Sequence, residues 1–423
     1  MVDINLVREN PKFYKKSAKN KLVDPKIIDR LLEVDKKRRD LLQKVENLRS
    51  QRNKAAKSKN IEKGKQLKSQ LKTLEPKLKD IENKYGNLIL EIPNPAASDV
   101  PLGKEEADNK VIRKWGKPKK FRHPIKDHVD IGKELDLIDV ETSAKVSGSR
   151  FFYLKNDAVR LQFALIQFVI DTLSNETVMS KLAKKTKNPS SRVFTPVLPP
   201  VMIKADTAKM MDRFYPDEVS YHLEKDDIVL VGSAEHSLGP MHMNQVLSPK
   251  QLPIRYIGYS TSFRREAGTY GKDMRGILRT HQFDKLEMET FTLAEHGEVE
   301  QEFIVAIQEY LVKSLELPYE VIYICTGDMG KPDYRQYDIN TWIPSQGKYR
   351  ETHTSDYMTD YQARRLNTKV HTKNGKEYVH MNDATAFAIG RILIAILENN
   401  QQSDGSVKVP KVLQKWVGKS TIK

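Results

Sequence analysis

Two apolar stripes in a three-four spacing, parted by a short polar turn, constrain the fold more than any other feature of this chain. The first runs Leu31, Val34, Leu41, Val45 and Leu48, with Arg38 and Arg52 filling the gaps; the second runs Leu67, Leu71, Leu74, Leu78, Ile81, Tyr85 and Leu88. Joined across KSKNIEKG, they predict an antiparallel coiled-coil hairpin over about 26–90, each helix of roughly 30 residues and about 45 Å. Pro76 falls inside the second helix and should bend it or reset its start. Between Lys26 and Leu90 stand 19 Lys and Arg against 9 Asp and Glu, a large share of the chain's net charge of +16. Acids are absent between Glu46 and Glu62, where Arg49, Arg52, Lys54, Lys57 and Lys59 crowd the tip. A lever with a basic end suits the backbone of a folded RNA or a DNA duplex. A solvated dimerisation coil fits the same pattern.

The remainder is long enough for a second domain with a large core, since the chain has 423 residues and is 39% hydrophobic. Its one cysteine, Cys325, rules out internal disulfides and cysteine-rich zinc sites, and it lies in the apolar run VIYIC. No stretch is apolar enough to span a bilayer, and the opening MVDINLVRENPKF resembles neither a signal core nor a transit peptide, so a soluble cytoplasmic protein is expected. EIPNPAASDVPLGKEEADN reads as a linker, giving domains 1–108 and 109–423. In the second, helices are expected from about Asp157 to Leu173, from Gly297 to Leu315, and from Thr385 through TAFAIGRILIAILENN. Strands are expected in VFTPVLPPVMI, which its prolines break, and in DIVLVG, PIRYIGYS, EVIYIC and QYDINTWIP. The last helix carries Arg391 as its only charge before Glu398, and a buried guanidinium there needs an anion, either an internal carboxylate or a bound phosphate.

Ser262 to Phe291 reads as two strands joined by a Gly-rich basic loop. Period-two alternation sets Arg264 and Glu266 on one face of the first strand, and Arg279, Phe283 and Glu287 on the matching face of the second. Guanidiniums, carboxylates and an aromatic ring on one surface suit a nucleoside polyphosphate and an amino acid, although polar hairpin faces are also common in antiparallel sheets. There is no GxxxxGK[ST] phosphate loop, and the histidines show no paired metal spacing. Ser233, Glu235 and His236 are close in sequence, but alternation along a strand would separate them, so a hydrolytic triad is not expected.

Taken together, MVDINLVRENP, the basic helical hairpin, VFTPVLPPVM, SFRREAGTYGKDMRG through HQFDKLEME, and AIGRILIAILENNQ resemble the bacterial-type seryl-tRNA synthetases, a family of class II aminoacyl-tRNA synthetases, over nearly the whole chain. The resemblance implies an α+β fold, with an antiparallel-sheet catalytic domain preceded by the two-helix arm. It implies a homodimer built on VFTPVLPPVM, the substrates L-serine and tRNA(Ser), with tRNA(Sec) a further candidate, and ATP with Mg2+. Zinc is not implied. By the same resemblance Arg264 would hold the ATP α-phosphate and the serine carboxylate, Glu266 would meet the adenine, Phe283 would stack on it, and Arg391 would take the γ-phosphate. Arg265, Thr352 and His353 complete the implied ATP set, with Glu351 and Thr354 as magnesium ligands. The serine pocket would be Ser233, Ala234, Glu235, Arg264, Glu287 and Thr385. Arg275 and Arg279 would steer pyrophosphate or the tRNA acceptor end, and the basic arm tip would bind tRNA. The chain departs from the family wording at His236, Asn340, His353 and Thr385. Competing readings are a paralogue that loads an amino acid on a carrier protein and a catalytically silent RNA-binding relative.

Overall fold

The structure is a computed structural model and describes residues 1–212, 219–266 and 275–423. It divides into two compact units, Met1–Ala96 and Ala97–Lys423. Residues 97–108, which the linker composition groups with the first domain, bond within the second unit: Ala97 N donates to Tyr334 O and Thr326 N to Pro101 O, both at 2.9 Å.

In the first unit two short helices, α1 (Ile4–Glu9) and α2 (Pro11–Asn20), precede the long pair α3 (Lys26–Lys57) and α4 (Ile61–Glu91). Asn60 caps α4 by accepting from Lys63 N at 3.0 Å, which satisfies one donor of its first turn. The cap starts α4 earlier than the apolar stripe does, and α4 runs on through Pro76. Val45, Leu71 and Leu78 are buried along the seam, with Leu41, Leu48, Leu74 and Ile81 packed against them. Arg38 occupies its gap in the stripe by laying its guanidinium 4.4 Å from the centre of the Tyr85 ring. Asp35, fully buried, accepts from Arg8, Arg38 and Arg39. Burial works to raise its carboxyl, but the bonds from Arg8 and Arg38 outweigh that and hold it below the usual range.

The second unit is built on a sheet of eight strands: β1 (Lys110–Trp115), β2 (Thr195–Val197), β3 (Ile254–Phe263), β4 (Gln282–Thr292), β5 (Tyr319–Tyr323), β6 (Arg335–Ile343), β7 (Lys348–Tyr357) and β8 (His380–Ala388). Their order is β1-β5-β6-β7-β8-β4-β3-β2, antiparallel throughout except for the β2–β3 edge pair. VFTPVLPPVMI is therefore not one strand: its prolines end β2 at Val197, and Met202–Lys204 pairs in a separate small sheet. The helices α5 (His128–Glu134), α6 (Asn156–Leu173), α7 (Gly297–Ser314) and α8 (Ile389–Asn399) flank the sheet. The expected helix at Thr385 is corrected here, because Thr385 to Ala388 continue β8 and only Ile389 begins α8. Cross-strand pairing with Glu287 wins over the apolar run's helical pattern. Cys325 is buried. Among the described residues no helix is long and apolar enough to cross a membrane.

β7 and β8 pair only from Ser355↔Ala384 to Tyr357↔Asn382. Beyond Ser355 no further pairing joins them, and the carbonyls of Thr354 and Thr385 are bridged instead by the buried side-chain amide of Gln308 on α7, at 2.9 and 2.8 Å. Thr354 and Thr385, on the two sides of that interruption, both line the pocket described below.

Candidate active site

β3 and β4 pair from Phe263↔Gln282 to Ile254↔Phe291, so Phe283, Lys285 and Glu287 alternate onto one face. The expected strand placement of Arg264, Glu266 and Arg279 is corrected: β3 ends at Phe263 and β4 begins at Gln282, and the three lie on the flanking segments. They still converge. Arg264, Glu266, Arg279, Phe283, Glu351, Thr352, Thr354, Thr385 and Arg391 line one pocket. Arg264 donates from Nε to Gly232 O at 3.1 Å, and its guanidinium carbon lies 5.5 Å from the Phe283 ring centre. Glu266 takes a left-handed backbone, φ +47, and accepts from Arg279 Nη1 at 3.4 Å. The Gly-rich basic loop, 267–274, lies outside the described residues.

A β-bulge sets the opposite wall. Ile339 pairs with His353 and Asn340 with Glu351, leaving Thr352 as the extra residue. The bulge lets Glu351 and Thr354 line one pocket although three positions separate them. Thr352 Oγ1 is turned to the Thr341 hydroxyl at 2.7 Å and Ile339 O at 3.0 Å. His353 is fully buried against Phe387, with ring centres 5.7 Å apart, and burial pushes its imidazole down to about 3. The structure thus keeps His353 out of the pocket. Arg265 is turned away as well, donating to Ser220 O at 2.9 Å and lying over Tyr221.

Arg391, in the first turn of α8, is the one residue of that helix not buried. Its Nη1 donates to the Glu351 carboxylate at 2.8 Å and to the Glu351 carbonyl at 2.9 Å. Of the two anions open to it from sequence, the carboxylate is the one seen. Burial works to raise the Glu351 carboxyl, but Arg391 and then Arg264 hold it below the usual range. On the adjoining strand, burial and the Glu351 charge push Asp338 well above it. With oxygen donors only, Glu351 and Thr354 suit a hard divalent cation.

A second cavity adjoins, lined by Gly232, Glu235, His236, Arg264, Lys285, Glu287, Asp356, Asp383 and Thr385. Ser233 and Ala234 are not on a strand, because the preceding strand, Ile228–Leu230, ends before them and Glu235 opens a helical turn. Ser233 Oγ donates to Glu287 at 3.2 Å and accepts from Lys285 Nζ at 3.1 Å, whereas His236 Nδ1 accepts from Gly232 N at 3.2 Å. No Ser-Glu-His relay forms. Lys285 Nζ lies 2.6 Å from Glu287. Carboxylate oxygens of Glu235, Glu287 and Asp383, all buried, lie within 4.8 Å of one another. Burial pushes Glu287 up to about 8; Lys285 opposes the shift, and Glu235 and Asp383 add to it. Lys285, Asp383 and Gln308 are not among the residues expected from sequence. Lys285 alone had a signal there, since it shares the period of Phe283 and Glu287.

Arg275 pairs at 3.1 Å with Asp127, which caps α5, and at 2.6 Å with Asp130 on α5. In the other unit Arg52, Lys54, Lys57 and Lys59 are exposed, and Arg49 reaches Glu75 across the hairpin at 2.8 Å.

Residues 1–96 match the family model of the seryl-tRNA synthetase N-terminal domain, and residues 219–400 match that of the class II tRNA synthetase core domain (G, H, P, S and T). The serine–tRNA ligase of Dictyoglomus turgidum is 40% identical over 100% of this chain and 99% of its own, and that of Nitrosopumilus maritimus 37% over 99% of each. Among solved structures, seryl-tRNA synthetase from Pyrococcus horikoshii complexed with ATP superposes with TM-score 0.88 at 37% identity, covering 100% of this chain and 99% of its own. The cytoplasmic serine–tRNA ligase from Naegleria fowleri in complex with AMP gives 0.85 at 29%, with the same coverage. With its fold and both of its domains matched in this way, the chain belongs to the seryl-tRNA synthetases, aminoacyl-tRNA ligases of class II.

Proposed function

We propose that this protein activates L-serine with ATP and transfers it to the 3′ end of tRNA(Ser). The observation that carries the reading is the joining of two unlike cavities at Arg264: one with guanidiniums and an aromatic ring, the other lined by the buried acids Glu235, Glu287 and Asp383. Phe283 offers a face for adenine, and Arg264 and Arg391 offer guanidiniums to phosphate oxygens. Glu351 and Thr354 would hold Mg2+, whose charge would offset that of the triphosphate. The serine carboxylate, aligned by Arg264, attacks the α-phosphorus in line and pyrophosphate leaves, so the residues act by positioning and neutralising charge. The tRNA ribose hydroxyl then attacks the mixed anhydride. Glu287 and Thr385 would satisfy the substrate hydroxyl, so that polar groups are left unpaired when alanine enters, while Glu235 would face the ammonium; Ser233 does not line the cavity and instead holds Glu287 and Lys285 through its hydroxyl.

The arm, with its exposed basic tip, suits tRNA backbone binding. We propose a homodimer in the cytoplasm; the dimer accords with the exposed apolar side chains of Leu198 and Met202, which follow the β2 edge, and of Phe163 on α6. A carrier-loading paralogue has no use for that arm, and Arg264, Glu287, Glu351 and Arg391, which a silent relative could lose, are all present. The test is charging of total tRNA with labelled serine, followed by sequencing of the charged species. Serine on tRNA(Ser) supports the reading, tRNA(Sec) among the products extends it, and no serylated tRNA overturns it.

A further inference from the structure

His128, first residue of α5, is buried and lies outside both cavities. Its backbone N–H and ring Nδ1 both reach Glu398 Oε1, at 3.0 and 3.1 Å. Glu398 is fully buried near the end of α8, the helix whose first turn carries Arg391, and its other oxygen accepts from Ser345 N at 3.0 Å. A carboxylate against Nδ1 requires a proton on that nitrogen and leaves Nε2 as an acceptor. Nε2 meets the backbone N–H of Ile277 at 3.3 Å.

The segment that donates this hydrogen bond is pinned on both sides. Arg275 bridges Asp127 and Asp130, which flank His128 in sequence. Gly276 has φ +84, and a Cβ built there would stand 2.1 Å from His128 Nε2, so the ring fills the space a side chain would need. A Cβ on Gly390, next to Arg391, would meet Ile277 O at 3.1 Å, which brings the same segment over the start of α8. Ile277, Leu278 and Arg279 then line the pocket that holds Arg264, Phe283 and Arg391, and none of the three lines the acidic cavity.

We infer that His128, in the tautomer fixed by Glu398, is a positioning residue that sets the wall formed by Ile277 to Arg279 against α8, and so tunes binding of the nucleoside triphosphate but not of the amino acid. The inference rests on the nucleotide reading of that pocket. Its chemistry is that of an orphaned donor: without Nε2 the buried Ile277 N–H loses its acceptor, and the wall is free to shift away from Arg391.

The test is amino-acid-dependent pyrophosphate exchange on the full chain, with KM measured separately for ATP and serine. Wild-type exchange checks the nucleotide reading first, so its failure is distinct from failure of the inference. His128→Asn keeps a donor towards Glu398 and removes the acceptor for Ile277; KM for ATP should rise about tenfold, with KM for serine within about twofold. His128→Gln, whose amide oxygen reaches as far as Nε2, should recover most of that loss. Should His128→Asn not fold, Gly276→Ala provides the second route, because its methyl collides with the His128 ring and forces the wall and that ring apart without removing either His128 or Glu398, and it should raise the ATP KM alike. Equal changes in both KM values, or an unchanged ATP KM in a folded His128→Asn or Gly276→Ala, would overturn the inference.

Discussion

Arg391→Ala separates a structural ion pair from a phosphate grip, because the two roles predict opposite patterns. The Arg391 side chain is 23% exposed and that of Glu351 48%, so the pair sits at the mouth of a cleft. Pairs in such settings contribute about 0–1 kcal/mol, and loss of one from a unit this large should lower Tm by no more than about 2 °C. Two charge-assisted bonds from a guanidinium to phosphate oxygens are together worth about 3–4 kcal/mol, so kcat/KM for ATP should fall about 100- to 1000-fold. Arg391→Lys retains the charge without the fork and should fall between. The assay is pyrophosphate exchange with ATP varied at saturating serine, beside a thermal melt of each variant. A melt lowered by about 8 °C or more with unchanged ATP kinetics would refute the reasoning and leave Arg391 as a strut for β7.

Glu287→Gln should raise KM for serine about 100-fold with little change in KM for ATP, since it alters the acidic cavity alone. Because the Glu287 carboxyl is pushed up to about 8, its contribution to stability is full below its unfolded value of 4.5 and lost as pH climbs towards about 8; the variant should flatten that part of the Tm profile. Asp35→Asn should destabilise the N-terminal unit by about 2 kcal/mol in denaturant melts, since Arg8, Arg38 and Arg39 converge on one buried carboxylate. In the parent protein that contribution is present above about pH 4 and lost on acidification, the sense required by a depressed carboxyl. Deleting residues 47–68 keeps Val45, Leu71 and Leu78 and should spare exchange while abolishing tRNA charging; equal loss of both would make the hairpin structural. Replacing Arg52, Lys54, Lys57 and Lys59 by Ala should flatten the salt dependence of tRNA binding, by about 0.7–0.9 in log–log slope for each phosphate no longer neutralised.

The arm was legible because its signal is local: apolar spacing and a polar turn determine a helical hairpin without reference to the rest of the chain. Phe283 and Glu287 were legible for the same reason, since strand alternation needs only neighbouring residues. Arg264, Glu266 and Arg279 were correctly brought together for a wrong local reason, because the strands stop short of them and flanking segments carry them. The bulge at Thr352 was invisible, as it depends on which residue of β6 lies opposite. His353, which the resemblance alone named in the ATP set, has its side chain buried against Phe387. Asp383 and Gln308 could not be found, one standing beside acids far off in sequence and the other bridging two strands from a helix. Thr385 read as helix because the apolar run continues through it, and only pairing across to Glu287 reveals a strand.

One cleft joins a triphosphate grip to an acid-lined cavity for serine, and the catalytic reading depends on that union. Magnesium-dependent exchange of pyrophosphate into ATP, run with the purified wild-type protein across a panel of amino acids, tests it most directly. Serine should drive exchange, with alanine and threonine lower by about 100-fold or more in kcat/KM. Absence of serine-dependent exchange, or faster exchange with another amino acid, would contradict the account.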